Sequence, residues 1–456
     1  MLLYMIRHLN FTYHAVFGKS HQISFQRIEG IYLPKVTVLI PAHNEKSVIG
    51  PLLERMSAVT YPKEKLEIVV VNDSSTDGTG EIADEFSKNY DFITVLHRRN
   101  KGAHGKPEAM NEGLKASVGE IIVTFDADYY PQLDIIEKLV APFVDPEVGM
   151  VQGRVTVLNE EDSFVSKLVT LERIGGYRVD QLARDDLVLS PQYGGTVGAL
   201  RRSFLERIGG WDSSMLTEDT DLTVRCIVDG QKVRYVNDAE SYEESVTTWK
   251  AYWNQRYRWA KGHMQCFRKY FVPVVKSKNL RFSGKIELIL LLSIYFLPVL
   301  ALIGWITGLL AYITGEAFMP YATQFFYIVP VFTYSAVGNF APFFEVGMAA
   351  YLDERKNLQL MIPALVINFV VMVFCCTKAL LDLIIKRSGK QKWNHTNHNG
   401  KSHNGNGNGR NGNGHNGNGN GFIGNGGSKG SLFLATNDLF IKPRPAIPKM
   451  GEKAFE

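Results

Sequence analysis

Short apolar runs alternate with amphipathic stretches along the first part of the chain. The runs hold five or six residues, and three of the four end in acidic or other polar loops. The runs predicted to be strands are 36–40, 66–71, 92–96 and 120–125. Strands and helices that alternate over short loops are typical of a mainly parallel sheet with helices on both faces. Because ligands bind outside the carboxyl ends of such strands, we expect the polar loops to form a ligand cleft at one edge.

The pattern that follows is more mixed. Residues 149–158 are predicted to form a strand, and residues 163–182 one long helix. Another helix begins at Thr217, a good N-cap residue that is followed by carboxylates in the first turn. Residues 246–267, which are rich in Trp, Tyr and Arg, are predicted to form a further helix.

Three later stretches are apolar enough to cross a membrane, namely 286–313, 324–344 and 361–385. Each can span roughly 30 Å of hydrocarbon, although buried core helices are the alternative interpretation. Basic residues precede the first stretch and predict that the domain before it is cytoplasmic. Basic residues also follow the last stretch and favour a cytoplasmic position there. Three full crossings would instead place them outside, unless one segment, such as 345–355, lies on the membrane surface. Two and three crossings therefore both stay open.

The two ends of the chain differ in composition from the rest. Residues 1–34 are too polar to span a bilayer, and we expect them at most to lie along its surface. Residues 389–430 are mainly Asn and Gly and predict a disordered linker before a tail at 431–456. Between these ends, the pattern predicts an α/β domain at 35–270 and interfacial and transmembrane helices at 271–388.

Charge and cysteine content exclude some classes of protein. The formal net charge of +4 is too small to predict nucleic-acid binding. The four cysteines match neither a metal site nor a disulfide framework, so a reducing compartment is expected.

Two carboxylates one residue apart, Asp126 and Asp128, follow the apolar run that ends at Phe125. Mg²⁺ takes one or two carboxylates and fills its shell with phosphate oxygens and water, so this pair suits a divalent cation that bridges to a diphosphate. For an isolated pair, a strand that ends in a solvated acidic turn is the more common explanation. Here the other motifs along the chain favour the metal-binding interpretation.

Several motifs occur together in a fixed order. They are Pro41-Ala42-His43-Asn44-Glu45, Asp73, Asp126-Ala127-Asp128, Gly209-Gly210-Trp211-Asp212, Thr217-Glu218-Asp219 and Gln255-Arg256-Tyr257-Arg258-Trp259. This set resembles the family 2 inverting glycosyltransferases of the processive type, such as cellulose synthase, hyaluronan synthase and poly-β-1,6-N-acetylglucosamine synthase. The resemblance covers residues from about 35 to 270 and the apolar helices. It implies an α/β GT-A-type nucleotide-sugar-binding domain with a mainly parallel sheet, followed by a small α-helical membrane region.

The resemblance also implies a role for individual residues. Asp219 matches the catalytic base and Glu218 lies beside it, where a like charge tends to raise a carboxyl pKa toward useful basicity. The residues expected to bind the nucleotide sugar are Pro41, Glu45, Asp73, Lys106, Asp126 and Arg258. Those expected to bind the acceptor are Gly195, Thr196, Gln255 and Trp259, and those expected to bind Mg²⁺ or Mn²⁺ are Asp128 and Asp126. A surface charge at Lys106 and a simple tight turn at the glycines are the open alternatives.

The implied function is transfer of a sugar from UDP-N-acetylglucosamine or UDP-glucose to the growing end of a β-linked polysaccharide. The alternatives are a non-processive glycolipid synthase that resembles ceramide glucosyltransferase, and an inactive scaffold in a polysaccharide-export complex. Most processive synthases have one or two membrane helices before the catalytic domain, and none is predicted within residues 1–34. We therefore expect an integral membrane protein with a cytoplasmic catalytic domain that acts at the lipid bilayer, and a polymer channel that needs a partner membrane subunit or self-association.

Overall fold

The structure is a computed structural model that describes residues 2–18, 23–28, 30–98, 105–314 and 340–385. Contacts divide the chain into residues 1–402 and 403–456, and every described residue belongs to the first unit. Most of the predicted span at 324–344 lies outside the described residues. The predicted linker at 389–430 and the predicted tail at 431–456 lie outside them entirely.

Eight strands of the described residues form one mixed sheet. They are β1 (Val36–Ala42), β2 (Leu66–Asn72), β3 (Ile93–His97), β4 (Ile121–Thr124), β5 (Tyr129–Pro131), β6 (Val148–Val157), β7 (Gly198–Arg201) and β8 (Lys232–Glu243), in the order β3-β2-β1-β4-β7-β6-β8-β5. The three pairings that join β3, β2, β1 and β4 are parallel, as is the pairing of β6 with β8. β7 runs antiparallel to both β4 and β6, and β5 runs antiparallel to β8.

Helices cover both faces of the sheet, which explains why the strands are near-continuous apolar runs. Neighbouring residues of β1 enter different cores: Ile40 packs with Leu52 and Ile136 on one face, and Leu39 packs with Met110 and Leu222 on the other. All four residues of β4 and all ten of β6 are buried. The predicted strands at 36–40, 66–71, 92–96, 120–125 and 149–158 correspond to β1, β2, β3, β4 and β6.

The α-helices of the described residues follow the chain in this order: α1 (Leu2–Phe17), α2 (Lys46–Ser57), α3 (Thr79–Asn89), α4 (Lys106–Ala116), α5 (Ile135–Val140), α6 (Phe164–Ile174), α7 (Leu182–Asp186), α8 (Arg202–Ile208), α9 (Glu218–Val228), α10 (Trp249–Lys276), α11 (Phe282–Ser293), α12 (Leu297–Thr314), α13 (Ala341–Leu352), α14 (Lys356–Gln359) and α15 (Leu365–Ile385). A π-helical segment, Gly175–Gln181, joins α6 to α7. The predicted helix at 163–182 is therefore continuous but changes its winding in the middle. Its start is fixed by a capping box in which Ser163 and Ser166 bond each other's backbone N–H.

Two helical segments are long and apolar enough to cross a membrane, Phe282–Thr314 and Ile362–Ile385. The first contains α11, a 3₁₀ turn and α12, and the second contains α15. They overlap the predicted spans at 286–313 and 361–385. Large apolar side chains on α12 and α15 are exposed, for example Leu309 and Phe374, as expected of helices that face lipid.

The N-terminal helix α1 packs on this region through buried charges. Arg7 is 5% exposed, and its guanidinium donates to Asp180 at 2.5 Å and to Glu287 of α11 at 2.9 Å. Tyr4 Oη donates to the backbone carbonyl of Leu290 at 2.6 Å. Buried ion pairs lose hydration and are stable only when well hydrogen-bonded, so this contact fixes α1 against α11.

Candidate active site

The carboxyl ends of β1, β2 and β4 bring the predicted donor-binding residues to one edge of the sheet. Asp73 follows β2 and is 5% exposed. Its carboxylate accepts from Arg98 Nη1 at 2.7 Å and from the backbone N–H of Gly105 at 3.3 Å. Pro41 pairs with Val71 in the same edge, and Glu45 is the N-cap residue of α2.

Lys106, the first residue of α4, connects the acidic strand end to the glycine loop before β7. Its Nζ lies 2.6 Å from Asp126 Oδ1 and donates to the carbonyl of Gly195 at 3.0 Å. Burial alone would lower the pKa of Lys106, but the carboxylates of Asp126 and Glu218 outweigh it and the pKa is raised. The side chain is therefore a largely buried cation that joins Asp126 to the glycine loop, and its contact with a donor stays a prediction.

Asp128 lies among other carboxylates. Burial raises the pKa of Asp128 well above its usual range, and the charges of Asp126, Glu243 and Glu45 add to the rise. A divalent cation would favour the ionised carboxylates, so Asp126 and Asp128 fit Mg²⁺ or Mn²⁺ once donor phosphates supply further ligands. Across the described ranges, no group of three or more His, Cys, Asp or Glu residues could hold a metal without such help.

The glycine loop, residues 194–198, is held by a residue that the sequence analysis did not single out. Gln152 of β6 is fully buried; its Nε2 donates to the carbonyl of Thr196 at 3.1 Å, and its Oε1 accepts from the N–H of Gly194 at 2.7 Å. Thr196 Oγ1 in turn accepts from the backbone N–H of Asp126 at 3.1 Å. Thr196 therefore anchors the acidic strand end, whereas Gly195, at φ +83°, lies on the cleft side beside Asp219. The sequence signal for Gln152 was weak, because the same strand also holds the polar residues Arg154 and Thr156.

Asp219 lies in the first turn of α9, and Thr217 is the N-cap residue of that helix. Burial and the neighbouring charge of Glu218 raise the pKa of Asp219 to about 7, against the opposing effects of Lys106 and Arg258. The Asp219 carboxylate is therefore suited to accept a proton near neutral pH. The Thr217 side chain does not cap α9; its hydroxyl lies 3.6 Å from Cys266 Sγ instead.

Helix α10 contributes the basic and aromatic residues. Arg258 is close enough to Asp219 to influence its pKa. The guanidinium carbons of Arg256 and Arg173 lie 4.2 and 5.3 Å from the centroid of the Trp259 ring. Gln255 is partly exposed, and its Oε1 accepts from Arg256 at 3.4 Å. The structure thus brings Lys106, Gly195, Asp219 and Arg258 together, with Asp126 of the Asp126–Asp128 pair 2.6 Å from Lys106.

The mixed sheet and the carboxylates at its strand ends are typical of a glycosyltransferase domain with the GT-A fold. The family described as "Glycosyltransferase like family 2" matches residues 34–262, which is half of the chain. The chain therefore belongs to glycosyltransferase family 2.

Curated relatives resemble mainly the α/β domain. The chain is 39% identical over 251 residues to the "Probable glycosyltransferase YdaM" of Bacillus subtilis (strain 168), covering 55% of this chain and 60% of that protein. It is 33% identical over 270 residues to the "Beta-monoglucosyldiacylglycerol synthase" of Nostoc sp., covering 59% and 58%. The chain thus spans about 60% of the length of these relatives. It is 28% identical to the "Poly-beta-1,6-N-acetyl-D-glucosamine synthase" of Staphylococcus epidermidis over 81% of this chain and 87% of that protein.

One solved structure shares the fold over most of the chain. This structure is "Mannosyltransferase PcManGT from Pyrobaculum calidifontis in complex with GDP-Man and Mn2+", with a TM-score of 0.59 and 22% sequence identity. The match covers 85% of this chain and 95% of that one. At this identity the similarity shows the fold alone, and it confirms the predicted GT-A architecture.

Proposed function

We propose that the chain is a membrane-attached inverting glycosyltransferase that moves a sugar from a UDP-sugar to the end of a β-linked polysaccharide. The observation that carries the proposal is the position of Asp219, a carboxylate with a pKa of about 7 that faces Lys106 and Arg258. Inverting transfer needs a base to take the acceptor hydroxyl proton while the oxygen attacks the anomeric carbon. It also needs fixed positive charge where the diphosphate departs.

The donor would lie along the carboxyl edge of β1, β2 and β4. Asp73 would accept hydrogen bonds from the uracil or ribose, and Lys106 and Arg258 would contact the diphosphate. Arg258 is always charged and offers a planar fork of donors, which suits a phosphate leaving group. Asp126 and Asp128 would hold Mg²⁺ or Mn²⁺, which would neutralise negative charge on the diphosphate.

The acceptor would approach between Gly195 and Trp259. Glycine allows the backbone to come close to a sugar, and an indole ring can stack on one. Similarity to the Staphylococcus epidermidis poly-β-1,6-N-acetylglucosamine synthase over 81% of this chain supports a polysaccharide acceptor. The higher identity to the Nostoc β-monoglucosyldiacylglycerol synthase, 33%, supports a glycolipid product as the second candidate.

Membrane attachment would come from Phe282–Thr314 and Ile362–Ile385. Four basic residues between α10 and the middle of α11 favour a cytoplasmic catalytic domain; they are Lys276, Lys278, Arg281 and Lys285. An acceptor that is itself lipid-linked or extruded through the membrane would then meet the site from the bilayer side.

The test is release of UDP by detergent-purified protein given UDP-glucose, UDP-N-acetylglucosamine or UDP-glucuronate with Mg²⁺ or Mn²⁺, together with sizing of the product. A long polymer from one donor is the expected result. A single sugar added to lipid would replace the polysaccharide proposal by the glycolipid candidate, and no release from any donor would favour the inactive scaffold.

Two variants test the base in the same assay. Asp219→Asn is expected to lose transfer, and Asp229→Asn, which changes a carboxylate at the far end of α9, serves as the matched control. Asp219→Asn protein as active as the wild type would refute the assignment of the base.

A further inference from the structure

We infer that His263 is a positioning residue: through Thr220 it holds the Asp219 carboxylate so that Oδ2 faces the acceptor. The inference rests on the proposed role of Asp219 as base. It concerns how that base is oriented, and His263 itself lies behind the base, away from the reacting atoms.

The two oxygens of Asp219 have different surroundings. The backbone N–H of Thr220 donates to Oδ1 at 2.7 Å, and Thr220 Oγ1 lies 3.4 Å from the same oxygen. Oδ2 is directed to the glycine loop, 3.7 Å from where a Cβ on Gly195 would lie. Oδ1 is thus held by α9, and Oδ2 is the oxygen available to an acceptor hydroxyl.

The Thr220 hydroxyl is itself surrounded by two further side chains. Gln192 Nε2 donates to Oγ1 at 3.0 Å, and His263 Nε2 lies 3.2 Å from it. Thr220 is fully buried and His263 is 8% exposed. His263 Nδ1 is buried and has no hydrogen-bond partner among the residues that the structure describes.

The unpartnered Nδ1 indicates which nitrogen carries the proton. A neutral imidazole has one N–H, and a buried N–H without an acceptor is rarer than a buried acceptor without a donor. The proton therefore lies on Nε2 and is donated to Thr220 Oγ1. Burial lowers the pKa of His263 to about 4, so the ring stays neutral at working pH.

This tautomer fixes the direction of the threonine hydroxyl. Gln192 and His263 fill the two lone pairs of Thr220 Oγ1, so its hydrogen points to the remaining acceptor, Asp219 Oδ1. Two hydrogen bonds from one residue then orient the carboxylate and favour its ionised form. The His263 ring is kept in place by Tyr295 of the 3₁₀ turn between α11 and α12, at 4.8 Å between centroids.

The titratable groups that face Asp219 from its own and neighbouring elements are Lys106, Tyr177, Tyr193, Glu218, Arg258, Cys266 and Tyr295. Substitution of His263 replaces none of these groups, and His263→Phe also keeps a ring against Tyr295, the one group of this set that the His263 ring contacts. A change in the pH dependence of a His263 variant can therefore be assigned to the hydrogen bonds of Thr220.

The test compares pH profiles of kcat/KM for UDP release by wild type, His263→Phe, His263→Gln and Thr220→Val in the full-length protein. Phenylalanine keeps a ring against Tyr295 but removes the donor, so the acid limb is expected to move up by about half to one pH unit. The loss is then about three- to tenfold at pH 6 and small at pH 9. His263→Gln, whose amide can donate in place of Nε2–H, should restore the wild-type limb.

Thr220→Val removes the hydroxyl and should shift the limb in the same direction, and the double variant with His263→Phe should shift it no further. An equal loss at every pH, or a limb that stays at the wild-type pH in both single variants, would overturn the inference. Asp219→Asn distinguishes failure of the positioning role from failure of the proposed base. If Asp219→Asn is inactive but the His263 and Thr220 variants keep the wild-type pH profile, only the positioning role is refuted. If Asp219→Asn is active, the assignment of the base is refuted as well.

Discussion

Replacing Asp219 by asparagine is expected to stabilise the folded protein above neutral pH while it abolishes transfer. Burial and the charge of Glu218 raise the pKa of Asp219 from 3.8 to about 7. The folded protein therefore binds this proton more tightly than the unfolded chain does, and ionisation of Asp219 costs folding free energy. A shift of about 3 pKa units corresponds to at most about 4 kcal/mol.

The difference in stability between wild type and Asp219→Asn depends on pH. Below about pH 4, Asp219 is protonated in both states and the carboxyl does not distinguish wild type from variant by its charge. Between about pH 4 and pH 7 only the unfolded chain releases the proton, so wild type loses stability relative to Asp219→Asn. Above about pH 7 the difference is constant. The asparagine keeps an oxygen that can accept from the N–H of Thr220.

Thermal unfolding in detergent at several pH values measures this difference. About 1 kcal/mol corresponds to about 2–4 °C in Tm for a domain of this size, so Asp219→Asn should melt several degrees higher at pH 8. Asp221→Asn on the same helix is the matched control. Asp221 is fully buried and accepts from Arg225, Lys269 and Tyr270, so neutralising it removes the negative charge that these donors share and should lower Tm. Asp219→Asn protein that melts at or below wild type at pH 8 would refute the reasoning.

Three further outcomes are expected. Lys106→Met removes the cation 2.6 Å from Asp126 and should raise KM for the donor about tenfold, with Lys106→Arg less affected, as steady-state kinetics would measure. Gly262→Ala places a Cβ 2.4 Å from Thr217 Cγ2 and should cost about 1–3 kcal/mol, seen as a lower Tm; an unchanged Tm would contradict the close packing of α10 on α9. Chelation with EDTA should abolish UDP release and added Mn²⁺ restore it, whereas Asp128→Asn should need more Mn²⁺ for half-maximal rate; metal-independent release would refute the metal site.

The parallel strands could be predicted from sequence because they are buried on both faces. In β4 all four positions are buried, and three of them hold Ile or Val, so the strand stands out as an apolar run. The place of β7 could not be predicted in this way. Gly198–Arg201 is short and continues a glycine-containing stretch that resembles a turn, and only its long-range pairing with β4 and β6 makes it a central strand.

In the candidate site, too, some residues could be predicted from the sequence and others could not. Residue types and order pointed to Lys106 and Asp219 through the family motifs, and the structure brings them together. The supporting residues Gln152, Thr220 and His263 carry no motif. Their roles depend on which backbone groups and hydroxyls lie opposite them, and such contacts join residues up to 45 positions apart in the chain.

Helix α10 links this site to the apolar helices, and the polar residues inside α15 explain how. Polar groups at membrane depth are costly unless they are paired, and those of α15 face the catalytic domain. Asn368 Nδ2 donates to Glu172 at 3.0 Å, and Asp382 accepts from Tyr257 of α10 at 2.6 Å. Arg256 also pairs with Glu172, so α15 and α10 share one carboxylate. Because α10 also carries Arg258 and His263, a shift of α15 that broke these bonds would move the side chains around the proposed base.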